Sequence, residues 1–295
     1  MSSERALHYR RPWWGRLHGY LALARVSNSP TVVSNVLTGA ALGGALRPDG
    51  VVVALAVAMV LFYTAGMYLN DLCDYAIDVR ERPGRPLPSG SVSRSAAGVG
   101  VVAFFAVGSA LLWLVETVPF GTGLLLIGVI VVYDLWHKTN PLSPLLMAAA
   151  RALVYVTAFT AFASVLSRSL IAWASLLFLY VVGLTYIAKT ETGPRLTGYW
   201  PAVLLFLPAI AFAAETPDIR TLPLLLLFAG WVAYSVSFVY RAGHRSVGRA
   251  IGYLIAGIAL LDALALAVAG SRVGVVLALV AFGSTLFFQR YIRGT

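Results

Sequence analysis

Between residues 70 and 78 the chain reads Asn70-Asp71-Leu72-Cys73-Asp74-Tyr75-Ala76-Ile77-Asp78. Its three carboxylates stand three and four residues apart, a spacing that sets side chains on one narrow face of an α-helix. Residues 51–69 ahead of them are almost wholly apolar. Three neighbouring anions repel one another. A chain that gathers them at the end of an apolar helix needs a cation there, most simply a divalent metal. Arg80, Arg82 and Arg85 follow within a few residues. Carboxylates for a metal beside guanidiniums for phosphate oxygens point to a diphosphate bridged by Mg²⁺. The plainer alternative is a helix end whose acids pair with nearby arginines. Three acids on one face after an apolar span argue against it, because charge beside hydrocarbon is costly and usually functional.

The elements that must position these residues are membrane spans. The chain has 295 residues, 59% of them hydrophobic and 12% charged. A soluble domain carries about twice that charged fraction, and the mean hydropathy is +0.82. The expected fold is an all-α, polytopic transmembrane helical bundle. Apolar stretches near the required length of about 20 residues lie at 21–46, 51–74, 95–115, 119–136, 142–166, 168–189, 199–214, 221–240, 250–269 and 271–289. That is about ten spans. A tight Val118-Pro119 turn is expected between the third and fourth, and a hairpin at Gly270-Ser271-Arg272 between the last two. Residues 1–20 read as an interfacial segment, with Trp13 and Trp14 beside Arg10, Arg11 and Arg16. Residues 21–291 read as a single membrane domain. No cleavable signal peptide is expected, since no small-residue cleavage site follows a short apolar run.

The net charge of +10 does not point to nucleic acid, because the arginines sit at span ends rather than on a polar face with aromatics. If the N-terminus is cytoplasmic, most of the 22 Lys and Arg fall on the cytoplasmic side. Only Arg47, Arg168, Arg220 and Arg272 mark the opposite face. Both termini and the acidic motif are therefore expected on the cytoplasmic side. The one cysteine, Cys73, excludes an internal disulfide and reads as a small spacer. No histidine pair has metal-ligand spacing. Arg151 and Asp262 lie inside spans, where charge is functional by default. They could pair with each other, or Arg151 could reach a cavity.

The motif resembles the first signature of the UbiA superfamily of intramembrane prenyltransferases, N-D-x-x-D-x-x-x-D, at Asn70, Asp71, Asp74 and Asp78. Arg85-Pro86-Leu87-Pro88-Ser89-Gly90 is similar to the R-P-L-x-S-G that follows it, with a shortened gap. Tyr133, Lys138 and Pro141 resemble the family's tyrosine–lysine element on the next loop. Arg25, Asn28 and Asn35 fit its pattern of polar residues facing the cavity. The resemblance implies a nine-helix core, here plus one, around a central cavity. There Asp71, Asp74, Asp78 and Asn70 would hold Mg²⁺, while Arg80, Arg82, Arg85 and Lys138 face a prenyl diphosphate. The tail of that diphosphate would lie in the apolar interior, open to the lipid bilayer, and a small acceptor would take the prenyl group. Such a reaction separates charge as the C–O bond ionises, so cations at the leaving group and a dry interior are what it needs.

One departure stands out. The family's second aspartate motif falls where this chain reads Gly183-Leu184-Thr185-Tyr186-Ile187-Ala188-Lys189-Thr190-Glu191. Glu191 is the only acid there, and Lys189 could act as a point counter-charge in place of a second metal. Tyr186, Lys189 and Glu191, with Tyr133-Asp134 and Leu261-Asp262-Ala263, resemble the EboC-like branch. Prenyl transfer is the expected activity. A non-catalytic relative that binds or moves an isoprenoid-linked metabolite is the alternative. An ion-coupled transporter is disfavoured by the absence of an internal repeat.

Overall fold

The computed structural model describes residues 13–137, 140–191, 198–215, 219–241 and 245–292. Among these residues every regular element is helical, as expected. The chain begins with α1 (Trp13–Leu23), a 3₁₀ turn (Val26–Asn28) and α2 (Ser29–Leu42). Then come α3 (Gly50–Cys73), the short α4 (Tyr75–Glu81), α5 (Arg94–Val115) and α6 (Thr117–Trp136). The second half holds α7 (Ser143–Phe159), α8 (Arg168–Lys189), α9 (Trp200–Glu215), α10 (Leu222–Tyr240), α11 (Val247–Val268) and α12 (Arg272–Gln289).

Each expected apolar stretch is helical, the first of them in separate pieces. Seven of the helices, α3, α5, α6, α8, α10, α11 and α12, are long and apolar enough to cross a bilayer, while α7 and α9 are shorter apolar helices. Their starts are written in the sequence. Asp49, Ser93, Ser167 and Ser271 accept hydrogen bonds from the first turns of α3, α5, α8 and α12, and proline opens α2, α7 and α10. Both devices deal with backbone N–H groups that lack helical partners.

The structure departs from the expected elements at three places. The first span is not one helix. Pro30 has no N–H to continue a helix through 26–30, so the chain breaks, and Arg25 takes a left-handed conformation at φ 45°. α1 thereby crosses the boundary expected at residue 20. The acidic motif does not lie on one continuous helix either. α3 ends at Cys73, Asp74 forms the joint, and Asp78 belongs to α4. The third link is Glu116, extended at φ −170°, so Val118 and Pro119 fall inside α6. The hairpin between α11 and α12 forms as expected, turning at Gly270 with φ +80°.

α11 is the central pillar and is buried over most of its length, whereas α5, α6, α10 and α12 turn most of their surface outward. Their outward side chains include Val99, Val102, Trp113, Leu114 and Val280, an apolar exterior suited to lipid. α2 and α7 approach closely because Gly39 faces the backbone of Tyr155, leaving no room for a side chain. At that contact Asp262 of α11 accepts hydrogen bonds from Ser34, Tyr155 and Asn35, the last at 2.9 Å to each carboxylate oxygen. Arg151 takes a different partner and donates to Thr31. The two intramembrane charges thus serve separate contacts.

Candidate active site

A cavity of about 350 Å³ runs into the bundle from the end that carries the acidic motif. Its walls follow helical spacing. α3 contributes Met59, Phe62, Tyr63, Gly66 and Met67, and α6 contributes Leu126, Ile130, Tyr133 and Asp134. From α7 come Met147, Ala150, Arg151 and Val154, and from α8 Val181, Leu184, Thr185 and Ala188. Ile251, Ile255 and Ile258 of α11 complete the apolar wall. Each set repeats at three- and four-residue steps, one face per helix. Polar groups gather at one end, where Arg25, Asn28, Arg82, Arg85 and Glu191 join the lining.

Beside that end the motif's acids are all buried; Asp71 and Asp78 have arginine neighbours and Asp74 has an imidazole. Arg25 Nη2 donates to Asp71 Oδ1 at 3.2 Å. Arg85 Nη1 lies 2.6 Å from Asp78 Oδ2 and 3.6 Å from Asp71 Oδ1. His137 Nε2 lies 3.5 Å from Asp74 Oδ1, and this hydrogen-bonding partner raises the imidazole pKa above its usual value. The left-handed turn at Arg25 turns the first span toward α3, and Tyr63 holds that turn by donating to the Arg25 carbonyl at 3.3 Å.

The structure brings Arg25, Asn28, Arg82, Arg85, Tyr133, Arg151 and Glu191 to one cavity, with Asn70, Asp71, Asp74 and Asp78 next to its mouth. Other candidates lie apart from the lining. Arg80 is exposed and donates to the Ala76 carbonyl, and Asn35 is bound to Asp262. Tyr186 packs edge-on against Trp200 with ring centroids 4.8 Å apart. Lys189 is exposed in the last turn of α8. Lys138 lies outside the described residues.

Sequence reading assigned no site role to His137, Tyr63 or Thr31, and marked Asp134 only as part of the Tyr133-Asp134 resemblance. Asp134 accepts from Asn70 Nδ2 at 3.0 Å, while its second carboxylate oxygen is buried without a hydrogen-bond partner among the described residues. The available signal was an acid in the last turn of an otherwise apolar span. Tyr133 and His137, one turn apart, stack at 5.1 Å.

Among the described residues no three His, Cys, Asp or Glu side chains converge as a ready metal cage. Mg²⁺ does not require one, since it commonly uses one or two carboxylates together with water and substrate phosphate. Asp71 and Asp78 share one cationic nitrogen of Arg85, so two hard oxygen donors already flank a position taken by positive charge. The donor set fits Mg²⁺.

The UbiA prenyltransferase family pattern matches residues 32–241, well over half of the chain. The chain belongs to the UbiA prenyltransferase family. With its apolar spans, this UbiA family member is an integral multi-pass membrane protein. It is 33% identical over 127 residues to the digeranylgeranylglyceryl phosphate synthase of Methanoregula boonei, covering 42% of the chain and 44% of that protein. It is 28% identical over 202 residues to the protein of the same name from Haloquadratum walsbyi, covering 68% and 60%. The chain thus spans less than two thirds of the length of either relative. In fold it is similar to a UbiA homologue from Archaeoglobus fulgidus bound to GPP and Mg²⁺, with a TM-score of 0.63, 16% identity, and 85% and 99% of the two chains covered. A UbiA homologue from Aeropyrum pernix gives a TM-score of 0.51 at 21% identity, covering 89% and 98%. At these identities the likeness is one of fold.

Proposed function

We propose that this protein transfers a prenyl group from a prenyl diphosphate to a small acceptor within the membrane, in a Mg²⁺-dependent reaction. One observation carries the reading: a buried, charge-dense mouth opens onto an apolar cavity floored by Phe62, Leu126 and Val154. A diphosphate with a hydrocarbon tail has the matching division of charge and oil. The Archaeoglobus neighbour bound to GPP and Mg²⁺ supports the same ligand class here.

In this reading Asp71, Asp74, Asp78 and the side-chain oxygen Oδ1 of Asn70 are the donors that would hold the metal, since Asn70 Nδ2 is engaged by Asp134. Mg²⁺, when bound, neutralises charge on the diphosphate and makes it a better leaving group. Arg25, Arg82 and Arg85 add fixed positive charge where the leaving group's charge grows, and Lys138 on the next loop is proposed to do the same. The allylic C–O bond breaks with its electron pair going to the diphosphate. An acceptor nucleophile then bonds to the allylic carbon and gives up a proton. Glu191, the only carboxylate of 183–191 and a member of the cavity lining, is the group assigned to receive it. Arg151, pinned to Thr31, keeps a positive charge partway along the wall. Lys189 contributes to the field at the mouth, and Tyr186 and Asn35 hold the wall from behind. We place the mouth and both termini on the cytoplasmic side, treat 21–291 as the catalytic unit, and assign the chain to the EboC-like branch.

The lone Glu191 just past the end of α8, where the family's second acidic motif would fall, favours one second reading, a relative that binds or moves an isoprenoid-linked metabolite without reacting. Both readings expect Mg²⁺-dependent binding of geranyl diphosphate that is lost in Asp71→Asn and Asp74→Asn. Only transfer releases inorganic diphosphate when acceptors are supplied. Metal-independent binding that survives both substitutions would sink both readings.

A further inference from the structure

A second cavity of about 700 Å³, lined from α10, α11 and α12, adjoins the first. The two share Asn28, Glu191 and Ile255, so Glu191 stands on the edge between them. Glu191 is exposed and directly follows Thr190, the C-cap of α8. A carboxylate on a long side chain at a helix end samples many places. To take a proton from one reacting atom it must be held in one of them, since a misplacement of about 1 Å can cost about 10²-fold in rate. Glu191 is the only acid of 183–191, so no neighbouring carboxylate on its own segment restricts it. The constraint has to come from a facing element.

That element is the start of α11. Arg245 Nη2 donates to both oxygens of Thr190, to Oγ1 at 2.6 Å and to the carbonyl at 3.2 Å. A guanidinium on the last carbonyls of a helix also meets the negative end of its dipole. Thr190 is buried, and its Oγ1 donates in turn to the Ile187 carbonyl at 2.7 Å. The Glu191 N–H donates to the Ala188 carbonyl at 3.0 Å. The backbone that carries Glu191 is thus held both by α8 and by α11. Three residues after Arg245, Gly248 governs where the carboxylate goes. A Cβ on residue 248 would lie 2.9 Å from Glu191 Oε1 and 3.9 Å from Glu191 Cδ, and among the described residues it would meet nothing else within 4 Å. Gly248 is not among the glycines with positive φ. Backbone conformation therefore does not call for glycine at 248, whereas the place of the Glu191 carboxylate does.

We propose that Arg245 and Gly248 are positioning residues for Glu191: Arg245 fixes the backbone before it, and Gly248 leaves the space in which its carboxylate stands at the edge of the prenyl cavity. The proposal rests on the transfer reading for what Glu191 does, though not for where it is held. The two residues act by separate means, one through charge-assisted hydrogen bonds and one through the lack of a side chain. A methyl group at 248 would meet only the far end of a flexible side chain, so it displaces the carboxylate without disturbing the packing of α11.

The test uses full-length protein in nanodiscs. Position is read from the rate at which a carbodiimide couples Glu191 to an amine, followed by peptide mass spectrometry with the exposed Glu215 as internal control. In Gly248→Ala and in Arg245→Gln the rate at Glu191 relative to Glu215 is expected to change by about threefold or more. Gly248→Ala should melt at or slightly above the wild-type temperature, because alanine favours a helix over glycine, and it decides the matter if Arg245→Gln does not fold. With an acceptor supplied, kcat should fall by about tenfold or more in both variants, while KM for geranyl diphosphate and its Mg²⁺-dependent binding stay within about twofold. Arg245→Lys keeps a donor for Thr190 and should recover most of the lost rate. In a Glu191→Gln background Gly248→Ala should cost nothing further. Unchanged coupling in Gly248→Ala, or a further loss of rate in that background, would overturn the proposal. Release of no diphosphate by the wild-type protein with any acceptor removes the transfer reading, and the coupling rates still decide how Glu191 is held.

Discussion

Arg25 and Asp71 are 46 positions apart in the chain, yet Arg25 Nη2 donates to Asp71 Oδ1 at 3.2 Å. The contact joins the left-handed break after α1 to the last turn of α3. A break that costs roughly 1–3 kcal/mol of backbone strain thus sets the first cation of the mouth. Arg25→Gln is expected to remove the charge and leave Asp71 half-compensated by Arg85. Removing one partner from a fully buried pair costs about 3–5 kcal/mol; this pair is part-buried and Asp71 keeps Arg85, so the cost is smaller and a modestly lower melting temperature is expected. Calorimetry should show geranyl diphosphate affinity in Mg²⁺ falling by more than about tenfold. Arg25→Gly relieves the backbone strain but should bind no better than Arg25→Gln. Recovery of binding in the glycine variant would show that conformation, not charge, is what position 25 supplies.

Asp262 should matter for stability more than for ligand binding. It holds Ser34, Asn35 and Tyr155 together in the interior. Asp262→Ala takes the acceptor from Asn35 and Tyr155, while Ser34 can still donate to the Thr31 carbonyl at 3.1 Å; two buried donors left unpaired amount to about 2 kcal/mol or more. Thermal unfolding in detergent is the measurement, and Ser34→Ala should cost about 1 kcal/mol on the same scale. Mg²⁺-dependent diphosphate binding by the surviving folded fraction should stay near wild type.

Phe62 is expected to set the length of the tail. It is buried against Phe105, with ring centroids 5.9 Å apart, and lines the cavity. Nine residues of helix separate it from Asp71, about 13 Å of axis. Phe62→Ala should deepen the cavity and shift preference from geranyl toward longer prenyl diphosphates, at a stability cost of about 3–5 kcal/mol. Competition binding with C10, C15 and C20 diphosphates reads this out, and an unchanged order of preference would place the tail elsewhere.

Glu191 and Lys189 should separate cleanly. Glu191 lines both cavities, so Glu191→Gln is expected to lower turnover by about 10²-fold or more while leaving Mg²⁺–diphosphate affinity near wild type. Lys189 is exposed. Lys189→Met should change that affinity by no more than about twofold, and the difference should vanish in high salt, because an exposed charge is screened. A large, salt-insensitive loss in Lys189→Met would assign it a direct diphosphate contact.

The helices, their approximate ends and the acidic mouth were legible in the chain because they depend on local patterns. Apolar runs of membrane length, serine and aspartate caps, and opening prolines each act within a few residues. The spacing of Asp71, Asp74 and Asp78 with the arginines after them likewise carried the expectation of a metal–diphosphate site, on which the proposed function rests. Pro30 was a readable break that a hydropathy reading passes over, because proline and its neighbours do not lower the apolar average enough. Other features depend on contacts between distant segments and so were decided by tertiary structure. These are the pairing of Arg25 with Asp71, the parting of Arg151 from Asp262, the exclusion of Asn35 and Tyr186 from the cavity, and the entry of Asp134 and His137 into the mouth. Each depends on how far a helix is rotated about its axis and how closely it packs, as where Gly39 lets α2 meet α7. Spacing along a helix states which residues share a face. Only packing determines what that face meets.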